Sequence, residues 1–231
     1  MPEKIIGILG GMGPEATIDL FYKIIKSTPA EKDQDHLRII IDNNPKIPDR
    51  TAAILGREES PLPALQETAQ NLEKAGADFI VIPCNTAHSF LSSIQESVKI
   101  PILNMIEETA KETQKRISQI KKVGLLASIG IYKTEIYHRY FNKFNIEVMS
   151  PEEKDKEEIM KVIYAVKAGN LSEEIKKNIL KIAQKLIDKE AEVIIAGCTE
   201  IPLILKEGDV SVPIIDPTQV LAKAAVRKAR L

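Results

Sequence analysis

Cysteine and histidine are scarce: the 231 residues hold two of the first and three of the second. Two sulfurs are too few for a disulfide scaffold or a four-ligand zinc site. His36, His88 and His138 are scattered without ligand spacing, so no metal site is expected. Long apolar runs are missing too; stretches such as Phe79–Ile82 and Val193–Ala196 are strand-length, far short of a bilayer span. One-sided charge is absent, since 32 basic residues against 33 acidic ones leave −1. No field therefore draws nucleic acid or an anionic membrane surface. The start, Met-Pro-Glu-Lys, leads straight into a short apolar strand and glycines, which is not a signal-peptide pattern. There is no Walker A sequence, and the loop Gly10-Gly-Met-Gly13 lacks the G-x-G-x-x-G spacing of a dinucleotide site. With 44% hydrophobic and 28% charged residues the chain can bury a core, and a cytoplasmic globular protein is expected.

Short β-rich runs alternate with amphipathic stretches. Strands are expected at Lys4–Leu9, Leu37–Asp42, Asp78–Ile82, Ile102–Asn104, Val123–Ala127, Glu147–Met149, Glu192–Ala196 and Pro213–Asp216. Several are almost continuously apolar, as parallel strands covered on both faces must be. Helices are expected at Pro14–Lys26, Leu62–Ala75, Thr86–Ser97, Ile106–Gln119, Lys133–Phe144, Pro151–Ala168, Ser172–Lys189 and Thr218–Arg230, as in the spacing of Ile175, Ile179, Ile182 and Leu186. Asn43–Pro63, rich in proline and charge, reads as a long surface loop. The alternation predicts an α/β protein with parallel sheets.

An internal repeat organises the chain. Gln70–Cys84 aligns without gaps on Gln184–Cys198, and both copies continue into a threonine, Thr86 and Thr199. Lys99–Asn104 answers Ser211–Asp216 downstream, and Lys4–Leu9 answers Lys121–Leu126 upstream. Two pseudo-symmetric α/β domains are expected, 1–117 and 118–216, with the terminal helix 217–231 packing back on the first. The only two cysteines fall at equivalent positions, each past the carboxyl end of a buried strand, where open α/β sheets bind ligands. A lone cysteine beside a strand is usually an inert core residue. Two at one repeat position, each at a strand-to-helix turn whose N–H groups favour a thiolate, point instead to reactive thiols. Asn85, Thr86 and Thr199 add side-chain donors there. A disulfide does not suit a reducing compartment and a binding crevice. The symmetry suits a different chemistry: one thiolate takes a proton from a carbon centre while the opposite thiol returns one, inverting it. Because an α-proton is far less acidic than a thiol, such a site needs preorganised donors for the carbanion. Met12 and Gly13, in the glycine loop before Pro14, present backbone N–H groups to a substrate carboxylate.

Three segments, Gly7-Ile-Leu-Gly-Gly-Met-Gly-Pro-Glu-Ala-Thr17, Pro83-Cys-Asn-Thr-Ala-His88 and Gly197-Cys-Thr-Glu200, carry a resemblance. The whole chain resembles the aspartate/glutamate racemase family of cofactor-independent amino-acid racemases, and the Gly-Gly-Met-Gly-Pro segment is similar to its aspartate branch. The resemblance implies two α/β domains with the active site in the cleft between them, and Cys84 and Cys198 as acid/base residues. It further implies Arg50, in Ile47-Pro-Asp-Arg-Thr51, as a carboxylate binder, apt because its planar fork grips a carboxylate bidentately. Lys167, in Val166-Lys-Ala-Gly169, maps onto a family lysine; as a plain residue it is a helix C-terminal cation. Where relatives carry a ligand-contacting threonine, Ala127-Ser-Ile-Gly-Ile131 has Ile131, leaving Ser128 to supply more of that contact. No cofactor, an amino-acid substrate and a homodimer are implied as well. Glu200 either orients a substrate ammonium or favours the helix start, and His88 either bonds within the site or is structural. Racemisation of aspartate or a related acidic amino acid is the expected activity. A hydantoin racemase, a maleate-type isomerase and a non-catalytic small-acid binder are the alternatives.

Overall fold

The computed structural model describes residues 3–231. The chain divides into two compact units: residues 1–108 with 218–231, and residues 109–217. Each is an α/β layer structure around a parallel sheet.

In the first unit, β1 (Ile6–Gly10) lies between β2 (Ile39–Asn43) and β3 (Phe79–Val81), giving the order β2-β1-β3. β1 is buried along its whole length, as its unbroken apolar character demands. Ile6, Ile8, Phe79 and Val81 point to one face, where they meet Leu20 and Ile24 of α1 (Pro14–Ser27) and Leu221, Ala222 and Ala225 of α11 (Pro217–Ala229). Leu9, Ile80 and Ile82 point to the other, against Leu65, Ala69 and Leu72 of α3 (Leu62–Lys74). Pro14 stands at the first position of α1, where its missing N–H costs nothing.

The second unit repeats this order: β5 (Glu147–Met149), β4 (Lys122–Ala127), β6 (Val193–Gly197), β7 (Ile214–Ile215), all parallel. Leu126, Ile194 and Ala196 pack on Ile159 and Val162 of α8 (Glu153–Lys167) and on Ile179, Ile182 and Leu186 of α9 (Glu173–Asp188). The repeat has a steric basis. A Cβ on Gly7 of β1 would stand 2.9 Å from Ala77 Cβ and 3.4 Å from Leu72 Cβ; one on Gly124 of β4 would stand 2.8 Å from Ile194 Cδ1 and 3.0 Å from Leu186 Cβ. In each unit a strand glycine admits the equivalent helix leucine against the sheet.

Four local expectations need correction. Asn43–Pro63 is not loop throughout: it carries a short helix, α2 (Arg50–Ile54), whose N-cap Asp49 accepts a bond from Ala52 N at 2.8 Å. Ile102–Asn104 forms only a single bridge, Ile102 to Ile80. Pro101 brings no N–H to a ladder. Asn104 already turns to cap α5 (Met105–Arg116), its Oδ1 accepting from Ile106 and Glu107 N–H at 3.0 and 3.1 Å. Thr86–Ser97 is not one helix but a 3₁₀ segment, Thr86–Phe90, followed by α4 (Leu91–Gln95). The cause is His88: its ring occupies the Cys84 carbonyl that an α-helix would offer its N–H, which turns to Asn85 O at 3.1 Å instead. Lys133–Phe144 is split into α6 (Ile129–Thr134) and α7 (Ile136–Phe141) by Glu135, whose φ is +51°.

Candidate active site

The first unit contributes a glycine turn, an arginine and a cysteine. Gly11 has φ +97°, and a Cβ there would fall 2.3 Å from the Asn44 backbone, so only glycine fits. Its N–H donates to Thr17 Oγ1 at 2.9 Å, which withdraws one donor from the loop that was expected to face an anion. Met12 is buried in the cluster below α3, and Gly13 is the N-cap of α1. Arg50 opens α2 and is 8% exposed. Its Nη1 donates to Ile47 O at 3.2 Å and Pro48 O at 2.9 Å, and its Nη2 to Met12 O at 3.4 Å. Its buried Nε has no partner, and among the described residues no carboxylate pairs with the guanidinium. Carbonyl oxygens hold this cation in place without neutralising it. The same contact ties Arg50 to the glycine loop.

Cys84 follows β3 and is buried, as are Asn85 and Thr86. Its N–H turns back to Ile82 O at 2.8 Å. His88 lies behind it: Met105 N–H donates to Nε2 at 3.1 Å, so the ring proton sits on Nδ1, which donates to Cys84 O at 2.9 Å. Burial lowers its pKa to about 4, so the ring is neutral. His88 therefore fixes the backbone of Cys84 and is spent on main-chain partners.

In the second unit Cys198 follows β6 and is partly exposed. Its thiol donates to Glu200 Oε2 at 2.8 Å, and Thr199 Oγ1 donates to the same oxygen at 3.1 Å. Burial of the sulfur pushes the thiol well above its ordinary range and the Glu200 carboxylate pushes it further, while the positive charge of Lys167 pulls it back. Lys167 ends α8, exposed, its Nζ 5.8 Å from the Tyr164 ring centre. Ser128 is the buried N-cap residue of α6. Ile131 lies on α6 and is 1% exposed, so the position carries core packing rather than a polar contact.

Sequence reasoning missed Tyr132. Its hydroxyl donates to Leu125 O at 2.8 Å and accepts from Ala127 N at 2.9 Å, pinning the end of β4 to α6. A tyrosine within an apolar helix face gives no such signal; a buried hydroxyl's need for partners is the only hint.

Of the site residues, Met12, Gly13, Arg50, Cys84, Asn85 and Thr86 fall in the first unit, and Ser128, Lys167, Cys198, Thr199 and Glu200 in the second. Contacts join Arg50 to Met12 and Cys198 and Thr199 to Glu200. Both cysteines occupy the same topological place, past the third strand of a three-strand core whose central strand carries the packing glycine.

The profile of the family described as Asp/Glu/Hydantoin racemase matches residues 9–225. The chain belongs to that family and is an isomerase of the racemase class. It is 31% identical over 228 residues to the broad specificity amino-acid racemase RacX of Bacillus subtilis, covering 96% of each sequence. Among solved structures it is similar to the aspartate racemase of Picrophilus torridus, with 36% identity, a TM-score of 0.87 and coverage of 98% of this chain and 94% of that one. An aspartate racemase homologue from Pyrococcus horikoshii matches at 30% identity and TM-score 0.81, covering 99% and 100%. No helix among the described residues is long and apolar enough to cross a membrane.

Proposed function

We propose that this racemase interconverts the enantiomers of aspartate or a closely related acidic amino acid, without a cofactor, using Cys84 and Cys198 as its two bases. We also read it as a cytoplasmic homodimer. One thiolate removes the α-proton and becomes a thiol; the other thiol delivers its proton to the opposite face and becomes a thiolate, so charge and protons balance over the turnover. The observation that carries this reading is the placement of the only two cysteines after equivalent strands, β3 and β6. Glu200 accepts the thiol proton of Cys198, the state in which that cysteine acts as proton donor, and the two cysteines exchange roles between the two directions of the reaction. Arg50 supports an acidic substrate: a buried guanidinium without a counter-charge is costly, and a ligand carboxylate would remove that cost. Met12, Gly13, Asn85, Thr86, Ser128, Lys167 and Thr199 complete the proposed substrate contacts.

A wider amino-acid range is the second reading. Two observations favour it: the RacX likeness over nearly the whole chain, and Ile131, which offers no hydroxyl to select one side chain.

The test is incubation with L-aspartate in D2O, following D-aspartate and α-deuterium together, with a panel of other amino acids alongside. Cys84→Ala and Cys198→Ala should each reduce racemisation about a hundred- to ten-thousand-fold. Near-normal turnover in either variant removes the two-base assignment. Turnover of the panel with aspartate left untouched removes the substrate assignment.

A further inference from the structure

The helix α1 is apolar on two sides, and only one of them is used within the unit. Ala16, Leu20 and Ile24 face the sheet. The outward stripe holds Ile18, Phe21 and Tyr22, which are 67%, 36% and 56% exposed. Isolated exposed apolar residues are ordinary; a stripe at helical spacing is not. Beside it lies β2, which among the described residues pairs only with β1 and leaves its outer edge open, with Ile41 40% exposed on the same sheet face as Ile39. A groove of about 160 Å³ runs between helix and edge strand, lined by Phe21, Ile25, Leu37 and Ile39 with Thr28 and His36 as its polar members. Open apolar strand edges are usually blunted by charge, proline or a covering element.

We infer that this face, α1 with the edge of β2, is where a second copy of the chain docks, the two α1 helices crossing antiparallel about a two-fold axis near Phe21. This rests on the homodimer reading and adds where the contact lies. Charge along the helix identifies the occupant. Along the stripe the amino-terminal end carries Glu15, and the carboxyl end carries Lys26, whose Nζ sits 5.3 Å from the Tyr22 ring centre. An antiparallel copy sets each Glu15 against the other's Lys26 and each Ile18 against the other's Tyr22. A parallel arrangement would set like charges together. A surface complementary to itself under a two-fold rotation is what an isologous dimer requires.

Sedimentation equilibrium with circular dichroism tests this without reference to activity. The unaltered protein should be a dimer, and Phe21→Asp should raise its dissociation constant at least about a hundredfold. Glu15→Lys and Lys26→Glu should each weaken self-association, since each places like charges in opposition. Mixed in equal amounts, these two variants should associate at least about tenfold more tightly than either does alone, because both contacts between them become attractive again. A dimer unchanged by Phe21→Asp, or a mixture no tighter than its parts, overturns the location. If Phe21→Asp does not fold, the exposed charge variants still decide. A monomeric unaltered protein at tens of micromolar overturns the homodimer reading itself.

Discussion

His88 shows how the exclusion of water sets a protonation state, overriding the main-chain bond to Cys84 O that favours the charged ring. The unfolded chain protonates this imidazole near 6.5, the folded one only near 4. Between those values the unfolded state binds more protons, so stability is full at neutral pH and falls as the pH drops from about 6.5 to about 4, by roughly 3 kcal/mol. Urea unfolding across that window should show this loss, and His88→Gln, which keeps a donor and an acceptor but does not titrate, should lack this component of the slope. An equal slope in both proteins would assign the effect elsewhere. Glu200 makes the opposite case, a charge that holds a proton on its neighbour. Glu200→Gln removes a negative charge 2.8 Å from the Cys198 sulfur and should lower the thiol's pKa. In a Cys84→Ser background, the pH midpoint of alkylation by iodoacetamide should move down; an unmoved midpoint would deny Glu200 this role. The place of both cysteines, each after an equivalent strand, was legible in the sequence because the repeat doubled the signal. The tasks of His88 and Glu200 were not, since a hydrogen bond to a carbonyl or a sulfur leaves no mark in composition or spacing.

Among the elements, those decided by apolar periodicity were legible and those decided by single polar contacts were not. α9 follows the spacing of Ile175, Ile179, Ile182 and Leu186, and Ile179, Ile182 and Leu186 are buried. The 3₁₀ turn after Cys84 and the capping exit at Asn104 each depend on one side chain reaching one backbone group, which periodicity cannot register. Tyr132 is the sharpest example. Its hydroxyl serves both a carbonyl and an N–H of β4 through buried bonds, so Tyr132→Phe leaves two buried groups short of a partner. Such a loss costs about 1–3 kcal/mol per group. Chemical denaturation should show a deficit of about 2–5 kcal/mol on that basis, larger than removing one oxygen from a surface would give. A deficit under about 0.5 kcal/mol, the size of a neutral surface change, would mean that water or a backbone shift replaces the hydroxyl.

At the scale of the whole molecule the informative fact is that chain order and unit membership disagree at the carboxyl end. β7 ends at Ile215 in the second unit, and α11 begins two residues later yet packs on the first. Leu221, Ala222 and Ala225 cover Ile6, Ile8, Phe79 and Val81, so α11 completes one face of a sheet whose strands lie over a hundred positions earlier. The amphipathic pattern of 217–231 shows only that this helix needs a sheet, because both sheets are apolar on both faces; the expectation that it returns to the first domain rests on the two-domain division rather than on the helix's own pattern. Leu221→Ala discriminates. Removing a fully buried leucine should cost about 2–5 kcal/mol. Native-state hydrogen exchange then reports where the loss falls. The amides of β1 and β3 should lose protection with those of α11, while β6 and β7, nearer in sequence, keep more of theirs. If β6 and β7 lost protection ahead of β1, the helix would be supporting the second sheet, and the division at Pro217 would have to be redrawn.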